Sequence, residues 1–197
     1  MAVVIRAAGA GDREAVVRLL DAAFHDDPVS NWVFPEEESF RRGHPLLMGA
    51  FLDLVLEGGR VDLAEDGSAV ALWLSVPEGA HDEDDDGPAL LRQAIDPDNK
   101  RIEAVGRLTS GVHPTHTAHE YLWMIAVDPA RRGEGLGTAL IAAALERCDR
   151  NGTAAYLEAS SARSRDLYTR LGYTVLDPVL ELPDGPTMWP MWREPRG

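Results

Sequence analysis

Arg132, Gly135 and Gly137 carry the strongest chemical signal in the chain. They are spaced Arg-x-x-Gly-x-Gly between an apolar strand pattern and an amphipathic helix pattern. Glycines at such a junction let backbone N–H groups close on an anion, and the helix N-terminus adds partial positive charge. The chemistry is that of a phosphate cradle. No Gly-Lys-Ser/Thr follows, which excludes a nucleoside-triphosphate loop, and the Gly-x-Gly-x-x-Gly of dinucleotide domains is absent. For the loop alone, a tight structural turn is the alternative. Other reactive side chains say less. His113, His116 and His119 recur every three residues, which would suit a metal on a helix. Pro114 and the onset of a strand argue instead for extended chain, where i and i+3 point to opposite faces. The acidic run at 82–86 lacks the glycine and terminal Glu of a calcium loop and reads as solvated. Cys148 falls on an apolar helix face, the usual place of a buried thiol. No metal is expected.

The elements that position the loop follow from periodicity. Residues 3–7 read as a strand. Asp12 is an N-cap for a helix whose stripe is Val16, Leu19, Leu20, Ala23 and Phe24. Residues 25–35 read as a Pro-flanked loop, and 45–57 as a second helix ended by Gly58 and Gly59. Strands at 60–65 and 68–76 flank Asp66-Gly67, a tight-hairpin signature. Residues 79–119 look like an insertion with helical patterns near 88–95 and 99–109. Residues 120–127 form a strand too apolar for simple alternation, hence a central one. After the loop come a helix, a strand at 154–159, a helix capped by Ser160 or Ser161 and stopped by Gly172, and strands at about 173–182 and 187–193. The pattern predicts one α/β domain over residues 1–197, with a mixed sheet flanked by helices.

Composition limits the partners. The chain has 197 residues and a formal net charge of −14, so no basic surface for nucleic acid is expected. No apolar run reaches the ~18 residues of a membrane helix, and the first residues are too short for a signal-peptide core. The single cysteine excludes an internal disulfide. Together these imply a cytoplasmic protein with no membrane partner.

Ile125-Ala126-Val127-Asp128-Pro129-x-x-Arg132-Gly133-x-Gly135-x-Gly137 resembles the signature of the Gcn5-related N-acetyltransferase (GNAT) superfamily. Tyr168-Thr169-Arg170-Leu171-Gly172-Tyr173 resembles its second motif. Within the superfamily the layout is similar to that of the puromycin N-acetyltransferases. The resemblance implies acetyl-CoA as cosubstrate and a mostly antiparallel sheet with a V-shaped splay between its central strands. The backbone of Ile125, Ala126 and Val127 would meet the pantetheine arm. Arg132, Gly133, Glu134, Gly135, Leu136, Gly137 and Thr138 would wrap the pyrophosphate. Ser161 stands where the family often has an Asn that touches the CoA arm. Tyr168 matches the family's proton donor to the leaving thiolate. The amine must lose a proton before attack, and two strand-end carboxylates compete for that role, Glu120 and Glu158, with a water relay as the alternative. Trp32 and Phe34, on the loop after the first helix, would grip the acceptor. The implied activity is transfer of acetyl to a primary amine of a small molecule, such as an aminonucleoside-type antibiotic, which would make the protein a resistance enzyme. The alternatives are a protein N-terminal or lysine acetyltransferase and a non-enzymatic CoA sensor. A homodimer is compatible with the family's habits.

Overall fold

The computed structural model describes residues 3–80 and 86–197. Apart from Asp86, the acidic run lies outside the described residues. The chain opens with β1 (Ile5–Ala7), a single 3-10 turn, α1 (Arg13–Phe24), α2 (Pro28–Val33) and α3 (Glu37–Gly58). The hairpin β2 (Arg60–Ala64) and β3 (Ala69–Val76) follows, then α4 (Gly87–Ile95), α5 (Lys100–Val112) and β4 (His119–Val127). The remainder is α6 (Leu136–Asn151), β5 (Ala154–Ala159), α7 (Ala162–Arg170), β6 (Thr174–Val175), β7 (Leu180–Glu181) and β8 (Thr187–Arg193).

The strands form one mixed sheet in the order β1-β2-β3-β4-β5-β8-β6, with β7 also paired to β8. Among the described residues β4 and β5 run parallel and the other pairs are antiparallel. Each face carries a core. Leu140, Ile141, Ala144 and Cys148 of α6, with Tyr168 of α7, pack on one face. Val16 and Leu20 of α1, with Leu47, Leu52 and Val55 of α3, pack on the other.

Four local expectations are corrected. Asp12 stands before α1 but does not cap it, because its carboxylate is already held by Arg6 at 2.6 Å and by the Gly9 N–H at 3.0 Å. The segment 25–35 is not a loop throughout. Asp27 accepts from the Val29 and Ser30 N–H groups, and Pro28 supplies a preset first helical residue, so α2 forms. The helix placed at 45–57 begins at Glu37 instead, with Pro45 inside it. A proline interior to a helix costs about 3 kcal/mol; burying Phe40 and His44 one turn upstream outweighs that cost. The strand placed at 173–182 is broken into β6 and β7 on one edge of β8, since Pro178 between them offers no N–H to a ladder.

The departure that matters most lies in β4. Leu72 pairs with Met124 and Trp73 with Leu122, so Trp123 is an extra residue, a β-bulge. The bulge inverts the strand's facing. Leu122 packs with α6, Trp123 and Met124 pack on the opposite face, and Ile125 returns toward α6. Both faces of β4, which lies between β3 and β5, are covered by a core, which is why the segment shows no simple alternation. A bulge also bends its strand, and β4 parts from β5 at this place. Their pairing stops after Tyr121↔Tyr156. Beyond it the two strands form a fork.

Candidate active site

The fork opens into a cleft of about 1280 Å3. Its length is set by β4. Val127 at the open end is six residue steps from Tyr121 at the vertex, about 20 Å at a strand's rise per residue. Among the described residues, 122–127 have no partner strand on the β5 side, so their backbone edge lies open along the cleft.

The glycine loop closes the open end. Gly133 and Gly135 have φ of +89° and +82°, conformations that cost residues with a Cβ dearly. A Cβ built on either meets no protein atom within 4 Å, and one on Gly137 meets the side chains of Val127 at 3.4 Å and Ile125 at 3.7 Å. Gly135 is the N-cap of α6, so the N–H groups of Leu136, Gly137 and Thr138 have no partner within the helix. Glu134 is turned off the cleft into ion pairs with Arg131, which also holds Asp66. Arg132 lines the cleft and donates to the Ala23 carbonyl at 2.7 Å. Ser161 lines the same wall while capping α7 through the Ser164 N–H.

Glu158 lies at the vertex. Its Oε2 accepts from the Tyr121 hydroxyl at 2.7 Å, and its Oε1 is buried with no hydrogen-bond partner among the described residues. Burial pushes the Glu158 carboxyl up to about 7 from 4.5, against the opposing pull of the Tyr121 hydroxyl. A carboxyl that titrates near neutrality beside a cleft is suited to proton transfer. The structure does not bring Glu120 to it. Glu120 accepts from Ser75 Oγ at 2.7 Å and faces a separate cavity of about 150 Å3 shared with Arg147 and Cys148 of α6.

Tyr168 lines the cleft with its ring in the core. Burial, and then the nearby Asp27 carboxylate, hold its phenol above the ordinary tyrosine range, so at neutral pH it keeps its proton. Asp27 is the residue the sequence reading missed. Besides capping α2, it accepts from Ser160 Oγ and lines the cleft, and burial raises its carboxyl. The Asp-Pro pair after α1 was the available signal.

Trp32 and Phe34 are not on the cleft. Trp32 donates its indole N–H to the Pro183 carbonyl at 3.0 Å and lies under Arg101. Phe34 is 1% exposed and makes edge contacts with Phe40 and His44. Forming α2 turns both away, and Val29, Ser30 and Val33 face the cleft instead. Phe34→Ala is therefore expected to cost about 3–5 kcal/mol of stability, as for a core aromatic, measurable by urea denaturation.

Of the three histidines, His113 and His119 touch through their Nε2 atoms at 3.0 Å, while His116 packs toward Trp192. Among the described residues no group of three His, Cys, Asp or Glu converges on a point. Cys148 is buried, and that burial lifts its thiol to about 11, far from a reactive thiolate. No helix among the described residues is long and apolar enough to cross a membrane.

Known proteins share this design. The chain is 37% identical over 62 residues to L-2,4-diaminobutyric acid acetyltransferase of Virgibacillus pantothenticus; the match covers 32% of this chain and 38% of that protein, so it spans well under half of that relative's length. A Corynebacterium glutamicum structure described as histone acetyltransferase HPA2 and related acetyltransferase superposes with a TM-score of 0.73 at 26% identity, covering 100% of this chain and 98% of that one. Arylalkylamine N-acetyltransferase 2 of Aedes aegypti superposes with a TM-score of 0.71 at 18% identity over 98% of both chains, a likeness of fold. Residues 63–173, from β2 through the fork and the glycine loop to the end of α7, match the acetyltransferase (GNAT) family model. The match takes in more than half of the chain, including β4, the glycine loop, β5 and α7, and the protein belongs to that family.

Proposed function

We propose that the protein is an acetyl-CoA-dependent N-acetyltransferase that acts on a primary amine of a small molecule by direct attack in a ternary complex, the whole chain forming one catalytic domain with 79–119 as an insertion. One observation carries this reading. A single cleft joins an unpaired strand edge and an anion-binding loop to a carboxyl poised near neutral pH. The loop fits a pyrophosphate, because its positive-φ glycines leave the space before their backbone open. The backbone of Ile125, Ala126 and Val127 would hold the pantetheine arm, Arg132 to Thr138 the pyrophosphate, and Ser161 the arm's far side. Acetyl-CoA supplies an activated thioester.

The protein's own groups account for the rest. Glu158, ionised at and above neutrality, accepts the proton of the entering ammonium. A free β4 N–H polarises the carbonyl under attack. Tyr168, still protonated, donates to the departing thiolate. Residues from α3, α4 and α5, among them Phe51, Leu91 and Thr109, wall the vertex, which favours a small acceptor over a protein tail. The resemblance of the sequence to puromycin N-acetyltransferases supports an aminonucleoside-type amine within that class. A buried thiol suits a reducing, cytoplasmic setting.

Thiol release from acetyl-CoA, followed across a panel of small amines, aminonucleosides and peptides, tests the proposal. Turnover is expected with small amines in the presence of chelator. Preference for peptides would favour a protein acetyltransferase, and binding without turnover would favour a sensor. Tyr168→Phe removes one oxygen and keeps the ring. It is expected to lower kcat and kcat/KM together by about 10²-fold, the low end for a proton donor, while acetyl-CoA affinity barely moves. Steady-state kinetics on the best amine checks this, and an unchanged kcat would return Tyr168 to a packing role.

A further inference from the structure

The vertex of the cleft has a second feature, the chemistry of its walls. Phe51 of α3 meets Trp123 with ring centroids 4.7 Å apart, Trp123 stacks toward Tyr121 at 6.5 Å, and Tyr121 meets His113 edge-on at 4.8 Å. These four rings make a continuous wall that ends at the Tyr121–Glu158 hydrogen bond. Trp123 is in this wall because the bulge turned it there. Leu91 of α4 and Val105 of α5 line the same cleft.

Among the described residues the wall has no cation. Among the described residues the guanidiniums that line the cleft are Arg131, Arg132, Arg163 and Arg170, on the loop after β4 and on α7. None comes from α3, α4, α5 or the first half of β4. The arginines of α4 and α5 are engaged elsewhere. Arg92 and Arg107 both hold Glu103, and Arg101 donates to the Trp32 carbonyl. His113 does not substitute for them. It packs against His119 and the ring of Tyr156, and burial lowers its imidazole to about 4, so it is neutral at working pH.

We propose that the acceptor site selects primary amines carried on an apolar, ring-bearing body and rejects amines that also bear a carboxylate or phosphate. The inference deepens the acetyltransferase reading and rests on it. An ammonium is welcome here, since aromatic faces attract cations and Glu158 can take its proton. A carboxylate would lie against the negative faces of the rings and beside Glu158, stripped of water with no counter-charge. By this reasoning the substrate differs in class from that of the diaminobutyric acid acetyltransferase that the chain resembles over part of its length.

Matched acceptors test it on the full chain. 2-Phenylethylamine, L-phenylalaninamide and L-phenylalanine share a ring and differ in the carboxylate; 1,3-diaminopropane and L-2,4-diaminobutyrate form a ringless pair. The expected kcat/KM for the first two exceeds that for L-phenylalanine by about 10²-fold or more, as for a charge left unpaired in a dry site, and 1,3-diaminopropane exceeds diaminobutyrate likewise. Trp123→Ala is expected to raise KM for 2-phenylethylamine about tenfold, and to raise it less for 1,3-diaminopropane, which has no ring to pack. Val105→Arg, which brings a cation to the wall, narrows the gap between L-phenylalaninamide and L-phenylalanine. Calorimetric binding of the same acceptors to the unmodified protein gives a readout free of folding effects and of turnover. Equal or better use of the amino acids overturns the proposal, as does binding of none of the amines. Amine binding in the expected order without thiol release would leave the selectivity standing and sink the acetyltransferase reading instead.

Discussion

Glu158→Gln is expected to lower kcat/KM at pH 7 by 10²- to 10⁴-fold, the range of a lost general base. The deficit shrinks toward high pH, where the amine arrives already deprotonated. The unmodified protein's kcat/KM rises with pH through about 7, where the Glu158 carboxyl ionises, and the variant lacks that inflection. A second readout separates this role from a merely structural one. The folded-state value lies above the ordinary 4.5 because burial disfavours the charge. The fold therefore favours the neutral acid, a stabilisation present below about 4.5 and lost as pH rises to about 7. The displacement corresponds to about 3 kcal/mol. Gln stays neutral throughout, so at pH 8 the variant is expected to melt higher than the unmodified protein, and at pH 4.5 the gap closes. Full activity of the variant at every pH would move the proton to water, since Glu120 is not at the cleft.

How far the sequence reaches is clear from particular residues. The glycine loop was legible because its glycines answer a local demand, a positive φ at the entrance to α6. Tyr168 stood out through the stretch that resembles the family's second motif, and Glu158 through its place at a strand end. Which of Glu120 and Glu158 lines the cleft was not legible, because it depends on which face each residue takes relative to a strand that parts from its neighbour. The apolar run of β4 pointed to a central strand, while a bulge at Trp123 is visible only in its register with β3. The same bulge carries Trp123 to the cleft wall, while Trp32 and Phe34, which have the right residue types, are turned away by a six-residue helix. That helix was signalled by Asp27 and Pro28. The upstream half of α3 was hidden by Pro45, whose local penalty is overruled by the tertiary burial of Phe40 and His44.

Gly135→Val is expected to abolish acetyl-CoA binding and leave the fold in place. At about 100 times its dissociation constant, acetyl-CoA adds about 2.7 kcal/mol of stability by mass action, and in chelator the unmodified protein should show the corresponding rise in melting temperature. Two effects combine in the variant. The first is backbone strain. A β-branched residue at φ +82° costs on the order of 1–3 kcal/mol unless the loop rearranges, and rearrangement scatters the N–H groups of Leu136, Gly137 and Thr138. The second is exclusion. A Cβ at position 135 meets no protein atom within 4 Å, so nothing in the core is disturbed, and the isopropyl group occupies the space an anion needs to reach the backbone. Gly152→Val separates the two. Gly152 ends the same helix at φ +65°, also with no protein atom within 4 Å of an added Cβ, and it does not line the cleft. It should lower the melting temperature by a similar amount and keep the full acetyl-CoA shift. If Gly135→Val keeps that shift as well, the loop is a plain turn, and the phosphate reading on which the cofactor assignment stands is wrong.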